Sequence, residues 1–412
     1  MPVPVGRAVR GGPSRGERDH RAAGLIAVGH TIWSLSDGGM ERGLVNIVNL
    51  GNSREFRHVI LCLGEAGPLL NHVNRSVCRV VELRKRPGND VTIPFKIAVW
   101  ARRLRLDILH ARGWPTLVET AIGGYLGGVR PTVYGFHGKT AGELSRTSVR
   151  RRLTESIVPR LYSEIVTLTE SMKADVSRQS RLDSARVRVI PNGVDTEMFR
   201  PSHHRLTLRT EFGLSVDRTI VGNVARLDPV KNHHVIFRSL ARLRSMGVEP
   251  LMLIVGDDPE RPRLEREIRA YRLTAQVRLL GRSDRVPDLL NCMDIYVQSS
   301  FYEGFSNTVL EAMACGLPVI ATRTGGTVDV VREGHEGHLF DPHDDEGLAS
   351  LILSLMNRDM RQAMGTRGRR RVIENFQLPT MIGEYERMYR DLAWRQRGQR
   401  AAAPPWREAS HP

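Results

Sequence analysis

Short apolar runs alternate with helical patterns from residue 25 almost to the end of the chain, and this rhythm leaves few folds open. LIAVGH at 25–30 reads as a strand, SLSDGG as a loop and MERGLVNIVNLG as a helix. HVILCL at 58–63, DILHAR and PTVYGFHG repeat the strand, with IPFKIAVWARRLR and PTLVETAIGGYLGG as helices between them. RTSVRRRLTESIVPRLY then reads as a helix, EIVTLTE as a strand and SMKADVSRQ as a helix. Strands that alternate with helices predict a parallel sheet covered on both faces, an α/β fold.

The pattern restarts once. Pro191 and Asn192-Gly193 mark a turn, and the polar run PSHHRLTLRTEFG separates two zones, which places a junction near 196–215. TIVGNVARLD at 219–228 opens the second zone, and HHVIFRSLARLRSMG, LMLIVGD, RLEREIRAYRL, VRLLG, RVPDLLNCM and DIYVQSS continue it. EGLASLILSLMNRDMRQAMGTRGRRRVIENF reads as one helix and PTMIGEYERMYRDLAWRQR as a closing helix. At 412 residues the chain is long for one core and suited to two domains with a cleft between them, 24–200 and 201–375, followed by a helix at 376–398. Residues 1–23 are basic and lack the apolar centre of a secretory signal; a disordered extension is expected there, and a disordered tail at 399–412.

Lys and Arg number 61 against 45 Asp and Glu, a formal charge of +16 that favours phosphate-rich ligands, anionic membrane surfaces or nucleic acid. Nucleic acid is disfavoured, because aromatics make up only 6% and do not interleave with the basic residues. Cys62, Cys78, Cys292 and Cys315 have neither C-x-x-C spacing nor histidines at metal-site intervals, so a reducing compartment is expected, without a zinc site or disulfide framework. No apolar run approaches the roughly 18–20 residues that span a bilayer.

The stretch FYEGFSNTVLEAMACGLPVIATRTGG, 301–326, carries the chemistry. DIYVQSS before it supplies a strand, FYEGFSN a loop, and Ser306 or Asn307 can cap the helix TVLEAMAC, which Gly316 and Pro318 end. With Glu303 in the loop and Glu311 a turn inside the helix, the two carboxylates should lie on the order of 10 Å or more apart. That is too far for one bond and argues against a paired-carboxylate hydrolase. Between them the N–H groups of Phe305, Ser306 and Asn307 suit a phosphate. Carboxylate, anion site, carboxylate is the order of sugar, phosphate and ribose in a nucleotide-sugar.

These residues, with VARLDPVKN upstream and PNGVD between the halves, resemble the retaining glycosyltransferases of the GT-B fold, glycosyltransferase family 4, over roughly 25–395. The resemblance implies two Rossmann-like domains, acceptor site first and nucleotide-sugar site second, with the last helix returning to the first domain. Arg226 and Lys231 then match the pair that neutralises the diphosphate leaving group. Glu303 corresponds to the residue that meets the donor-sugar hydroxyls and Glu311 to the one that holds the ribose. Gly304, Phe305, Ser306 and Asn307 supply backbone to the phosphates, and Leu280, Gly281 and Arg282 the surface beneath the base. Gly38 and Gly39, in the first strand-to-helix loop, approach the donor phosphates or the acceptor. His137 lies near the reacting face of the sugar. Catalysis is thus expected from Glu303, His137, Arg226 and Lys231, with no metal or other cofactor.

Other motifs are set aside. GKT at 138–140 lacks the P-loop glycine, Val133 standing in its place. GDD at Gly256–Asp258 reads as solvated acids, and His203-His204 and His233-His234 as surface pairs. Ala225 and Asn232 depart from the family's usual residues without removing a charge. A narrower likeness through GGMERGLVNIVNL, RHVILCLGEAGPL, KRPGND and FHGKT is to sugar transferases of bacterial exosortase and exopolysaccharide systems. The implied reaction moves sugar from a UDP- or GDP-linked donor to a saccharide or lipid-linked saccharide with retention; an epimerase of sugar-nucleotides on the same fold is the alternative. Arg146, Arg150, Arg151 and Arg152 form a basic run that could face anionic lipid, for a cytoplasmic protein peripheral at the inner face of the plasma membrane.

Overall fold

The computed structural model describes residues 24–36, 38–138 and 149–401, so the expected extension at 1–23, Lys139, Thr140, Arg146 and most of the expected tail lie outside the described residues. Seven parallel strands make the first sheet: β1 (Ile26–Ile32), β2 (Phe56–Cys62), β3 (Cys78–Glu82), β4 (Ile108–Arg112), β5 (Thr132–Phe136), β6 (Glu164–Thr167) and β7 (Val187–Val189). Their order is β3-β2-β1-β4-β5-β6-β7. Helices α1 (Gly39–Leu50), α2 (Thr92–Arg103), α3 (Leu117–Gly127), α4 (Val149–Ile157) and α5 (Glu170–Ser180) cross between strands and cover its faces. Every residue of β1 is buried, as a strand covered on both sides requires.

The second sheet has six parallel strands: β8 (Ile220–Val224), β9 (Leu251–Val255), β10 (Val277–Gly281), β11 (Ile295–Gln298), β12 (Val319–Thr322) and β13 (Gly337–Phe340), ordered β10-β9-β8-β11-β12-β13. Around it lie α6 (Arg205–Glu211), α7 (His233–Ser245), α8 (Arg261–Ala270), α9 (Val286–Cys292), α10 (Asn307–Ala314), α11 (Thr327–Val330), α12 (Asp345–Ser354) and α13 (Arg358–Asn375). In both sheets the strand order reverses direction once, between β1 and β4 and between β8 and β11. Loops on either side of such a point splay apart and leave a crevice at the carboxyl edge. The final helix, α14 (Leu378–Ala401), packs Leu378, Met381, Tyr385, Met388, Tyr389 and Leu392 against Ile26, Val28, Ile108 and Val133 of the first sheet.

Four local readings are corrected. The polar run after Arg200 contains helix α6, whose Arg205 and Arg209 both reach Asp294 at 2.6 Å. The single helix expected after Asp344 is two, because Asn357 leaves helical geometry and its side chain accepts from the Met360 N–H to start α13. α14 runs to Ala401 rather than ending at 398, since its helix formers continue and the next proline is Pro404. His233 is not at the surface: it is buried at the start of α7 with Nε2 3.1 Å from Asn223 Oδ1, while His234 pairs with Glu267.

Asp294 fastens α6 to the second domain. Burial opposes its ionisation, but Arg205, the Ile220 N–H and Arg209 outweigh it and hold the carboxyl below its usual range. Asp294→Ala leaves Arg209 buried without its carboxylate and should lower stability by about 3–5 kcal/mol in urea denaturation; a loss below about 1 kcal/mol contradicts this role for the pair.

Candidate functional site

The second sheet's crevice begins after β8. Asp228 caps a short 3-10 turn, Pro229–Lys231, by accepting from the Val230 N–H, and Asn232 follows in the left-handed region at φ 50°. The turn is held from the residue just after β11, where Ser299 Oγ donates to the Lys231 carbonyl at 2.7 Å. Lys231 therefore points across the switch point, and its Nζ donates to Glu303 Oε1 at 2.5 Å. Ser300 Oγ donates to the same oxygen at 2.9 Å. Arg226 is largely exposed, with Nη2 3.1 Å from Asp228 Oδ2, so its guanidinium remains available to a ligand in the crevice.

Leu280, Gly281 and Arg282 lie at the carboxyl end of edge strand β10. Gly256, at φ 142°, joins them to the Arg226 loop: its N–H bonds the Gly281 carbonyl at 2.8 Å, and a Cβ there would meet the Ala225 carbonyl oxygen at 1.9 Å. Glycine is required at that crossing. Of the adjoining acids the Asp257 side chain is partly exposed, as expected, whereas Asp258 is less solvated, its Oδ2 buried without a hydrogen-bond partner.

The Glu303 loop continues into α10. Ser306 occupies the cap position, but its side chain makes no capping bond, so the expected cap is positional only. Phe305 packs toward Phe376 with ring centroids 6.3 Å apart, which leaves its backbone rather than its ring to the crevice. Glu311, within α10, lies where burial raises its carboxyl pKa to about 7 against the opposing pull of Arg42 from α1. Asn307 meets the first domain: its Oδ1 accepts from Asn192 Nδ2 at 3.0 Å, and its amide nitrogen lies 2.7 Å from where a Cβ on Gly39 would stand. Gly38 is extended and caps α1.

A second crossing lies at the end of β5. A Cβ on Gly138 would sit 2.9 Å from Gly304 Cα, and one on Gly304 would sit 2.7 Å from the His137 carbonyl oxygen. Two glycines thus let the domains touch where any side chain would hold them apart. His137, just before this contact, has both ring nitrogens buried and without partners, and burial first, then Arg112, lowers its pKa to about 3.

The residues read from the motifs fall into three groups around one cleft. Lys231, Glu303, Gly304, His137 and Gly138 form its middle; Gly39, Asn307 and Glu311 form the end where α1 and α10 meet. Arg226 and Leu280–Arg282 line the second domain's outer loops. The motifs did not single out Arg42, Asn192 or Ser300. Asn192 lay inside PNGVD, Ser300 at the strand end and Arg42 inside GGMERGLVNIVNL, so position alone could have raised all three.

A folded-state carboxyl pKa near 7, against 4.5 for a free glutamate, means the folded chain keeps a proton that the unfolded chain releases. Stability of the unliganded protein should therefore decline as pH rises from about 4.5 to 7, by about 1–3 kcal/mol. Glu311→Gln should flatten that decline in denaturation followed across the interval; an unchanged slope contradicts the placement of Glu311.

The chain matches the family model described as Glycosyltransferase Family 4 over residues 37–198 and the model described as Glycosyl transferases group 1 over 205–371. It is 27% identical over 312 residues to N-acetyl-alpha-D-glucosaminyl L-malate synthase of Bacillus anthracis, covering 74% of this chain and 80% of that one. It is 24% identical over 382 residues to the UDP-Gal:alpha-D-GlcNAc-diphosphoundecaprenol alpha-1,3-galactosyltransferase of Escherichia coli, covering 89% and 97%. Among solved structures, HepE of Anabaena in complex with UDP and glucose superposes with a TM-score of 0.75 at 22% identity, over 88% of this chain and 99% of that one. With the two domain types in this order on two parallel-sheet domains, the chain belongs to the GT-B glycosyltransferases that join a family 4 domain to a group 1 domain, enzymes of the hexosyltransferase type.

Proposed function

We propose that this glycosyltransferase moves a hexose from a UDP- or GDP-linked donor to a hydroxyl of a saccharide or lipid-linked saccharide, with retention at the anomeric carbon, in the assembly of an exopolysaccharide or other surface glycan. The observation that carries the reading is the Lys231–Glu303 pair at the second sheet's switch point. A donor exchanges it for two separate contacts: Lys231 turns to the diphosphate and Glu303 accepts from a sugar hydroxyl. Arg226 and the start of α10 share the phosphate charge, and Glu311 takes the ribose; no metal is assigned a part. The acceptor oxygen bonds to the anomeric carbon on the face the leaving oxygen departs, the carbon–oxygen bond to the diphosphate breaks, and the acceptor proton passes to a diphosphate oxygen. Gly138 and Gly304 let the domains close and exclude water, so that the acceptor hydroxyl is the attacking group.

A relative that by its name uses UDP-Gal and a diphosphoundecaprenol-linked acceptor, and a structural neighbour holding UDP and glucose, support this donor and acceptor class. The family match gives the epimerase alternative no support of its own. A nucleoside diphosphate or nucleotide-sugar at 100 times its Kd should add about 2.7 kcal/mol of stability in a thermal-shift panel. Lys231→Ala should abolish that gain and lower turnover about 100-fold or more. Full turnover in Lys231→Ala, or no stabilisation by any nucleotide-sugar, would sink the reading.

For the acceptor side we place the protein at an anionic membrane surface. Among the described residues no helix is long and apolar enough to cross a membrane. Within the arginine row Arg151 turns inward, paired with Glu155 at 2.7 Å and stacked 4.5 Å from the Trp114 ring centroid. Arg152 is exposed, the Arg150 side chain is outside the description, and the stronger feature is apolar. Val149, Leu153 and Ile157 stand exposed at four-residue intervals on α4, and Val118, Ile122 and Tyr125 are exposed on α3. An amphipathic face of this kind inserts shallowly beneath lipid headgroups. Co-sedimentation with vesicles containing phosphatidylglycerol should fall sharply in Leu153→Asp/Ile157→Asp; equal binding of both forms, or none at low salt, contradicts this surface.

A further inference from the structure

Arg112 ends β4 beneath α14 and is 1% exposed. Its Nη1 donates to the Tyr385 hydroxyl at 3.4 Å and its Nη2 to the Tyr389 hydroxyl at 3.3 Å, both long bonds, and its guanidinium stacks 4.9 Å from the Tyr385 ring centroid. His30 Nδ1 lies 3.5 Å from Nη2, and the Arg112 Nε has no partner. Among the described residues no carboxylate bonds to it. A buried charge without a counter-ion destabilises a fold by several kcal/mol, whereas a methionine of similar size would fill the same space. Stability alone therefore gives no reason for an arginine at this position.

The groups around it lead into the cleft. His110, paired in register with His30, donates to or accepts from Tyr389 OH through Nδ1 at 2.8 Å. Gly135 is the residue opposite Arg112 on β5, and a Cβ there would stand 2.9 Å from His137 Nε2 and 3.0 Å from His110 Nε2. The missing side chain is thus what lets two imidazole edges converge on one point of the strand, each with that nitrogen otherwise unpartnered.

We propose that Arg112 is a positioning residue of the transfer site: its fixed charge, clamped under Tyr385 and Tyr389, orients the His110–His137 pair over Gly135 and bars a second positive charge from that pair. The inference rests on the reading of His137 as a neighbour of the donor sugar. As the bond to the leaving group stretches, the anomeric carbon becomes cationic, so a neutral imidazole beside it assists where an imidazolium would repel. The charged and titratable groups that act on the His137 ring are His110 and Arg112 from β4; the next residue, Gly138, approaches Met172 of α5 and the Tyr302 hydroxyl of the loop before α10, where Glu303 is turned to Lys231 and Ser300. None of these supplies an unshared negative charge to oppose Arg112.

The test compares Arg112→Met, Arg112→Gln and His137→Ala by thermal unfolding, donor-saturated turnover across pH 5–8, and carbon-detected titration of the labelled His137 ring. For Arg112→Met we expect an unchanged or higher Tm. Turnover should fall about 10- to 100-fold with donor KM nearly unchanged. The His137 ring should titrate above its value of about 3, short of the ordinary 6.5 because burial remains, and turnover should gain a loss on the acid side absent from the parent. Arg112→Gln should show the same split should the methionine variant not fold. A lower Tm with full turnover in the folded fraction makes Arg112 structural and overturns the inference. So does lost turnover with an unmoved His137 titration. Full turnover in His137→Ala overturns the reading of His137 itself, and with it this one.

Discussion

All strands in both sheets are parallel, and everything else at the site depends on that constraint. Parallel strands send each strand-to-helix loop out at the same edge, and a reversal in strand order splays the loops flanking it. Lys231 follows β8 and Glu303 follows β11, the two strands that flank the reversal in the second sheet. Arg112 and the loop to α1 flank the matching reversal in the first. Residues far apart in sequence are therefore brought to one cleft by topology before any specific contact acts, and glycines at 39, 138 and 304 remove the side chains that would keep the two edges apart.

Within that cleft the charges are arranged so that each has a partner in the resting state that a ligand can replace. Lys231 and Glu303 hold one another, and Ser300 supports the same carboxylate oxygen. Partly buried ion pairs gain little net stability, because desolvation offsets attraction. A pair of this kind can exchange partners at small net expense, which suits a site that must receive a diphosphate and a polyhydroxyl sugar together. Arg112 and Glu311 depart from this scheme: the first is a cation to which no carboxylate among the described residues bonds, the second a carboxyl whose burial favours its proton against the pull of Arg42.

Much of this was legible in the sequence because buried parallel strands are short unbroken apolar runs, and LIAVGH, HVILCL and DIYVQSS are such runs. β3 was missed because Cys78–Glu82 has only two buried residues of five, as befits an edge strand. The break at Asn357 was missed because helix formers lie on both sides and only the cap bond to Met360 interrupts them. For the site, the E-x7-E spacing and VARLDPVKN located Glu303, Glu311, Arg226 and Lys231, but not the direct Lys231–Glu303 bond, which depends on strand order. His233 misled because a histidine pair looks polar until Asn223 is seen to reach it. The buried Arg112 cluster carries no local pattern at all: it is made by side chains two apart on neighbouring strands and by a helix that arrives more than 250 residues later.

The central claim is that the resting Lys231–Glu303 bond is exchanged for contacts to a nucleotide-sugar. A crystal structure with the nucleotide-sugar that most stabilises the protein tests it most directly. The account predicts Lys231 Nζ on the diphosphate and Glu303 on a sugar hydroxyl, with the original bond broken. A donor bound in the cleft with that bond intact, or bound elsewhere on the molecule, would contradict it.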